Sequence, residues 1–217
     1  MDHAARRRRM VESQLRPNQI NDPQVLAAMS RIPREAFVPP ALKDLAYIDE
    51  DLDLGQGRFL MEPLVLARLL QAAEIGPEDV ILNIGAGVGY DAAVMAQICS
   101  TVVALEADSA LAATATRALT DVGLDNVVVV EQALDQGYSR GGPYDVIVFG
   151  GAVAVIPETI QEQLAEHGRL TAVVVERGRV GKVVVVTRIR ASFARRHVFD
   201  AFTPVLPGFE PTARFTF

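Results

Sequence analysis

The chain has 217 residues, half of them hydrophobic and 22% charged, with a formal net charge of −6; it can bury a sizeable core, which excludes a disordered polymer, and its acidity excludes a surface that is all nucleic-acid footprint. A single cysteine, Cys99, and three scattered histidines, His3, His167 and His197, exclude a disulfide framework and a zinc centre, and no metal is expected. The residues after Met1 lack the apolar stretch of a signal peptide and runs such as VIVF and VVVV are far too short for a bilayer, so a cytoplasmic chain with neither membrane nor nucleic-acid partner is expected, of undetermined oligomeric state.

Residues 1 to about 75 read as helical and irregular. Arg6 to Arg9 fit a solvated helix face, and MVESQL, DPQVLAAMSRI and EPLVLARLLQAAEI carry helical spacing, with Asp22 as cap and Pro23 at the first helical position. Between the last two lies VPPALKDLAYIDEDLDLGQGRFLMEP, rich in turn residues, which predicts loop and short extended pieces. Its acids Asp49, Glu50, Asp51 and Asp53 lack metal-ligand spacing and read as a solvated loop.

From Asp79 the pattern changes. VILNI predicts a buried strand, YDAAVMAQI a helix that leaves Cys99 as a small buried residue, TVVALEAD a second strand, and SALAATATRALTDVG a helix capped by Asp108 or Ser109. NVVVVEQ and YDVIVFGG follow as strands. PETIQEQLAEHG predicts a helix from Pro157 with Gly168 just past its end, where His167 would meet the C-terminal dipole. RLTAVVVE and KVVVVTRI close the pattern, read as a hairpin across ERGRVG. The Phe- and Pro-rich tail is expected to cover a substrate loop or a sheet edge. Strands alternating with helices predict an α/β protein with a Rossmann-like, doubly wound, mostly parallel sheet. The expected organisation is one domain over 1–217: a helical and substrate-loop part (1–75), a cofactor-binding core (79–190) and a tail (191–217).

Strand, glycine loop and helix form a ligand seat for physical reasons. Gly85, Gly87 and Gly89 let the backbone turn tightly and let a ligand approach where a Cβ would clash. The helix start then offers unpaired N–H groups. Glu106 ends the next strand, where a carboxylate accepts both hydroxyls of a ribose. A dinucleotide fingerprint would need a third glycine where Tyr90 stands. The bland alternative is that the glycines only permit a close strand–helix turn, and Tyr90 is equally suited to the core or to a place beside a ligand. The G-x-G-x-G form resembles the first motif of S-adenosylmethionine-dependent methyltransferases, which implies a methionine end over the glycines and a ribose on Glu106.

Across most of its length the chain further resembles protein-L-isoaspartate O-methyltransferases, through MVESQLRPNQINDPQVLAAMSRIPREAFVPP, AYIDEDLDLGQG, ILNIGAGVGYDAAVMA and GGPYDVIVFGGAVAVIPETIQEQLAEHGRL. The resemblance implies S-adenosyl-L-methionine as cofactor, isoaspartyl residues of proteins as acceptor and a role in protein repair. Three departures stand out. The family's Gly-x-Gly-Gln-Thr-Ile-Ser-x-Pro loop falls on Gly55 to Pro63, where Phe59 and Met61 replace its two hydroxyls and Arg58 its glutamine. Phe59 and Met61 suit an apolar acceptor, and Arg58 an anionic tail. The acid ending the first strand of the core is Asn83. The adenine-side Gly-Asp-Gly falls on Gln132, Ala133 and Leu134, with Asp135 two places on as a substitute. The alternatives are a methyltransferase with another acceptor or a non-catalytic binding protein on the same fold.

Overall fold

The computed structural model describes residues 2–176 and 179–211. Helices α1 (His3–Met10), α2 (Pro23–Arg31) and α3 (Pro63–Ala73) precede the main sheet. The α2 start is as predicted: the Asp22 carboxylate accepts from the backbone N–H groups of Gln24 (2.8 Å) and Val25 (3.2 Å), and Pro23 needs no partner. Of Arg6 to Arg9, Arg8 and Arg9 are exposed, whereas Arg7 donates to the Ser30 carbonyl and lies 3.7 Å from Glu35. Between α2 and α3 a separate hairpin forms from β1 (Leu52–Gly55) and β2 (Arg58–Leu60), which pair with each other and with no strand of the main sheet.

Among the described residues the main sheet has seven strands, β3 (Val80–Ile84), β4 (Thr101–Glu106), β5 (Val127–Glu131), β6 (Tyr144–Val153), β7 (Leu164–Val174), β8 (Lys182–Ile189) and β9 (Ser192–Asp200), in the spatial order β5-β4-β3-β6-β7-β8-β9. The first five are parallel; β8 and β9 run antiparallel to their neighbours. The helices between strands are α4 (Tyr90–Met95), α5 (Ser109–Asp121) and α6 (Glu158–Gln161). Asp108, the first of the two candidate caps, accepts from the Leu111 N–H at 2.9 Å. Alternation splits the strands between two apolar layers: Ile81, Val102, Val146 and Val148 pack on one face, and Leu82, Val103, Ile147 and Phe149 on the other. Each fully buried side chain of that size contributes about 1.5–3 kcal/mol. Cys99 is buried, and burial pushes its thiol up to about 12.

The structure departs from the sequence-based expectation in two places. The helix predicted from Pro157 to His167 is a single turn, because Leu164 already pairs with Tyr144 as the first residue of β7. The next matched pair is Val146 with Arg169, so residues 165–168 bulge, with His167 at φ 64° and 79% exposed. Gly168 is demanded by space: a Cβ there would lie 2.9 Å from the carbonyl oxygens of Ala165 and Tyr144. Neither residue ends a helix. Second, the segment read as the start of the tail contains β9, an exposed edge strand whose two faces are both polar enough to hide the alternation. The tail's last residues, 212–217, and Arg177 and Gly178 of the predicted hairpin turn lie outside the described residues.

Candidate functional site

After β3, β4 and β5 build one half of the sheet, the chain crosses back to place β6 on the other side of β3. The crevice at such a reversal lies beyond the strand C-termini, and there the loop Gly85–Gly89 stands. All three of its glycines have positive φ: 79°, 55° and 91°. Gly89 serves packing, since a Cβ would come within 3.1 Å of the Ala115 Cβ on α5. Gly85 faces other side chains: its Cβ would meet Leu206 Cδ2 at 2.8 Å and Arg58 Nη2 at 3.3 Å. Gly87 has Arg58 and Leu54 as its nearest neighbours.

Glu106 lies where the sequence placed it, at the end of β4, with 1% of its side chain exposed. Its Oε2 accepts from Arg58 Nη2 (2.8 Å) and the Gly87 N–H (2.7 Å); its Oε1 accepts from the N–H groups of Ala107 (2.8 Å) and Asp108 (3.1 Å). Four donors fill the roughly four lone-pair sites of a carboxylate. Arg58 follows the tight turn Gly55-Gln56-Gly57, which points its side chain from the hairpin down onto the glycine loop. Its expected role toward an acceptor's anionic tail is replaced by an internal ion pair, 4% exposed, in which Nε and Nη1 have no partner among the described residues.

The other predicted residues divide. Phe59 is half-buried, whereas Met61 is 1% exposed and part of the core, with no surface for an apolar acceptor. Asn83 is buried, its Nδ2 donating to the Val148 carbonyl at 3.4 Å and its Oδ1 without a partner among the described residues. Tyr90 belongs to the core: its ring packs edge-on to Phe37 at 5.6 Å and lies under the Arg34 guanidinium at 4.7 Å. Ala133 is exposed, and Leu134 is buried in the second apolar layer. Asp135 lines an open cavity of about 730 Å³ together with Val155, Glu176, Phe209 and Glu210. The acids before and within the hairpin cap backbone: Asp49 accepts from the Leu64 N–H, Asp51 from that of Glu62 and Asp53, on β1, from that of Gly55.

Three residues escaped the sequence reading. Leu206 reaches the loop because the tail runs along the end of β6: Ala152 donates to the Pro204 carbonyl (2.9 Å), Leu206 donates back to Ala152 (2.8 Å), and Ala154 donates to Phe209 (2.9 Å). Arg34 is fully buried, which lowers its pKa, and it donates to the Met61 carbonyl. Asp91, the second residue of α4, is 6% exposed, and its Oδ1 has no partner among the described residues. No local pattern distinguishes any of the three from an ordinary core or surface residue.

Burial raises the Asp91 carboxyl to about 6, with Arg34 and then Arg58 opposing the shift. The folded-state value lies above the unfolded 3.8, so this group lowers stability as pH rises from about 4 to about 6 and keeps it lowered above that. Asp91→Asn is expected to stabilise the protein near pH 7.5 by about 2–3 kcal/mol, less the roughly 0.5 kcal/mol that a helix start returns to a carboxylate. Near pH 3.5 the gain is expected to vanish. Urea unfolding at the two pH values checks this, and an equal gain at both would remove Asp91 titration as its cause.

Comparison with known proteins agrees with this architecture. The family model for protein-L-isoaspartate(D-aspartate) O-methyltransferase matches residues 5–202. A protein-L-isoaspartate O-methyltransferase of Methanoregula boonei is 42% identical over 202 residues, 92% of each chain. Another, of Rhodopseudomonas palustris, is 40% identical over 185 residues, 85% of this chain and 76% of the relative. A solved protein-L-isoaspartate O-methyltransferase superimposes with a TM-score of 0.81 at 25% identity, covering 93% of this chain and 66% of the other. A Plasmodium falciparum structure in complex with S-adenosyl-L-homocysteine shares the fold at 19% identity, with a TM-score of 0.79 over 94% of this chain and 97% of that one. With a match over nearly its whole length, and relatives at 40% and 42% identity, the chain belongs to the protein-L-isoaspartate(D-aspartate) O-methyltransferase family.

Proposed function

We propose that this protein is an S-adenosylmethionine-dependent methyltransferase whose cofactor seat is the loop Gly85–Gly89 with Glu106. The observation that carries the reading is the buried Glu106 carboxylate at the end of β4, directly across from the glycine turn at the sheet's reversal point. The family uses this cofactor. In the present arrangement the seat does not fit it: Arg58, Leu54 and Leu206 stand against Gly85 and Gly87, and Glu106 has no lone pair left for a ribose.

The acceptor of the family reaction is the misplaced carboxylate of an isoaspartyl residue. Such a carboxylate needs no strong base; orientation and exclusion of water are what a protein supplies. Here the loop that would orient it carries Phe59 and Met61 in place of hydroxyls, and Met61 is turned into the core. That observation favours a second reading, a methyltransferase with a different acceptor. Losing two orienting hydrogen bonds costs about 2–4 kcal/mol of transition-state stabilisation.

One pair of measurements on one sample tests the proposal. Calorimetric titration with S-adenosylhomocysteine is expected to show one site per chain, and an isoaspartyl peptide is expected to be methylated with a kcat/KM roughly 30- to 1000-fold below the common range of enzymes. Binding without any turnover would support the second reading. No heat at about millimolar ligand would refute the cofactor seat.

A further inference from the structure

Two segments far apart in the chain meet over the glycine loop. The first is the β1–β2 hairpin, which shares no strand pairing with the main sheet and delivers Arg58 to Glu106. The second is the tail, pinned by Ala152 and Ala154 at the end of β6, which delivers Leu206 to Gly85. They are tied to each other: Thr203 Oγ1, just before the pinned stretch, donates to Asp51 Oδ1 beside the hairpin at 3.3 Å. Thr203 is 2% exposed, so this link lies inside the closed structure.

Resting on the cofactor reading above, we propose that Arg58 is an internal latch that occupies the ribose acceptor in place of the cofactor, with Leu206 as the plug over the glycines. The guanidinium stands in for one of the ligand's hydroxyls: its Nη2 takes the Oε2 position on Glu106, which a ribose hydroxyl would otherwise fill. Methyl-donor affinity in this protein is therefore set by two residues outside the glycine motif. Only a state with the hairpin lifted and Leu206 withdrawn is competent to bind.

The latch is built to be displaced. A buried ion pair roughly breaks even against its own desolvation, and this one leaves Nε and Nη1 of Arg58 buried without partners among the described residues. The hairpin needs to break no main-sheet pairing to move, and its turn, Gly55-Gln56-Gly57, is already exposed. When Arg58 leaves, Glu106 keeps three backbone N–H donors, which hold the carboxylate aimed at the seat. Apparent affinity is reduced by the fraction of molecules in the competent state, and weakening the closed state returns that factor.

The test compares S-adenosylhomocysteine binding by calorimetry in the full chain, Arg58→Gln, Leu206→Ala and the double variant, each first shown by thermal unfolding to be folded. Arg58→Gln carries the residue of the resembled family at this position and is expected to bind about tenfold tighter or more than the unmodified protein. Leu206→Ala is expected to act in the same direction. In the unmodified protein, saturating ligand is expected to speed hydrogen exchange of the Leu206 amide, now bonded to the Ala152 carbonyl. Equal affinity in the unmodified protein and Arg58→Gln, with Leu206 exchange unchanged by ligand, would overturn the latch while leaving the seat in place. Absence of binding in all four proteins at about millimolar ligand would overturn both the latch and the cofactor reading.

Discussion

Glu106→Ala is expected to destabilise the protein by about 3–5 kcal/mol, because it strands a buried charge. Arg58 is 4% exposed and Glu106 is its only anionic partner among the described residues. The truncation also removes the acceptor of the Gly87, Ala107 and Asp108 N–H groups, two of which set the turn from β4 into α5. For a chain of this length the loss corresponds to a fall of roughly 6–20 °C in melting temperature. Adding Arg58→Gln to Glu106→Ala is expected to recover roughly 1–3 kcal/mol, since the stranded cation is then gone. Urea unfolding of the single and double variants closes the cycle. A loss below about 1 kcal/mol, the usual worth of an exposed pair, would show that Arg58 is solvated and that the pair is not the closed state described.

Gly150→Ala is expected to cost about 3 kcal/mol for a steric reason. Gly150 lies on β6 where that strand passes the glycine loop, and a Cβ there would stand 2.5 Å from the Gly85 carbonyl oxygen and 3.3 Å from Asp91 Oδ2. The nearer atom is backbone, so relief requires β6 and the loop to separate and disturbs the seat itself. Gly123→Ala is the control: its surroundings are open, and only its φ of 75° opposes a side chain, a cost of about 1 kcal/mol. Thermal unfolding of the two variants is expected to place Gly150→Ala well below Gly123→Ala. The reverse order would mean that the loop and β6 give way easily, and with them the tight crevice.

The sequence alone determined the elements whose cause is local. Short continuous apolar runs marked β3 to β8, the side-chain oxygens of Asp22 and Asp108 marked helix starts, and the spacing of Gly85, Gly87 and Gly89 with Glu106 marked the turn and its acid. Each depends on neighbours within a few positions, where backbone geometry and side-chain period are set by contiguous residues. Family membership was legible for the same reason, as a string of such local motifs in order. Where local signals compete, the reading failed: Pro157 and the following polar run suit a helix, but pairing of Leu164 with Tyr144 starts a strand and throws His167 into a bulge. β9 was missed because an exposed edge strand has no buried face to impose alternation.

Only the tertiary structure decided who stands beside Glu106. Arg58 is 48 residues away in sequence, and Leu206 reaches Gly85 only because β6, β7, β8 and β9 return the tail to the end of β6. The same holds for Met61 and Tyr90, whose chemistry suits a ligand or a core equally well and whose burial assigns them to the core. A residue's type limits what it can contact, but its partner is fixed by the packing of distant segments, and at this site that packing sets a guanidinium where a ligand's hydroxyls were expected.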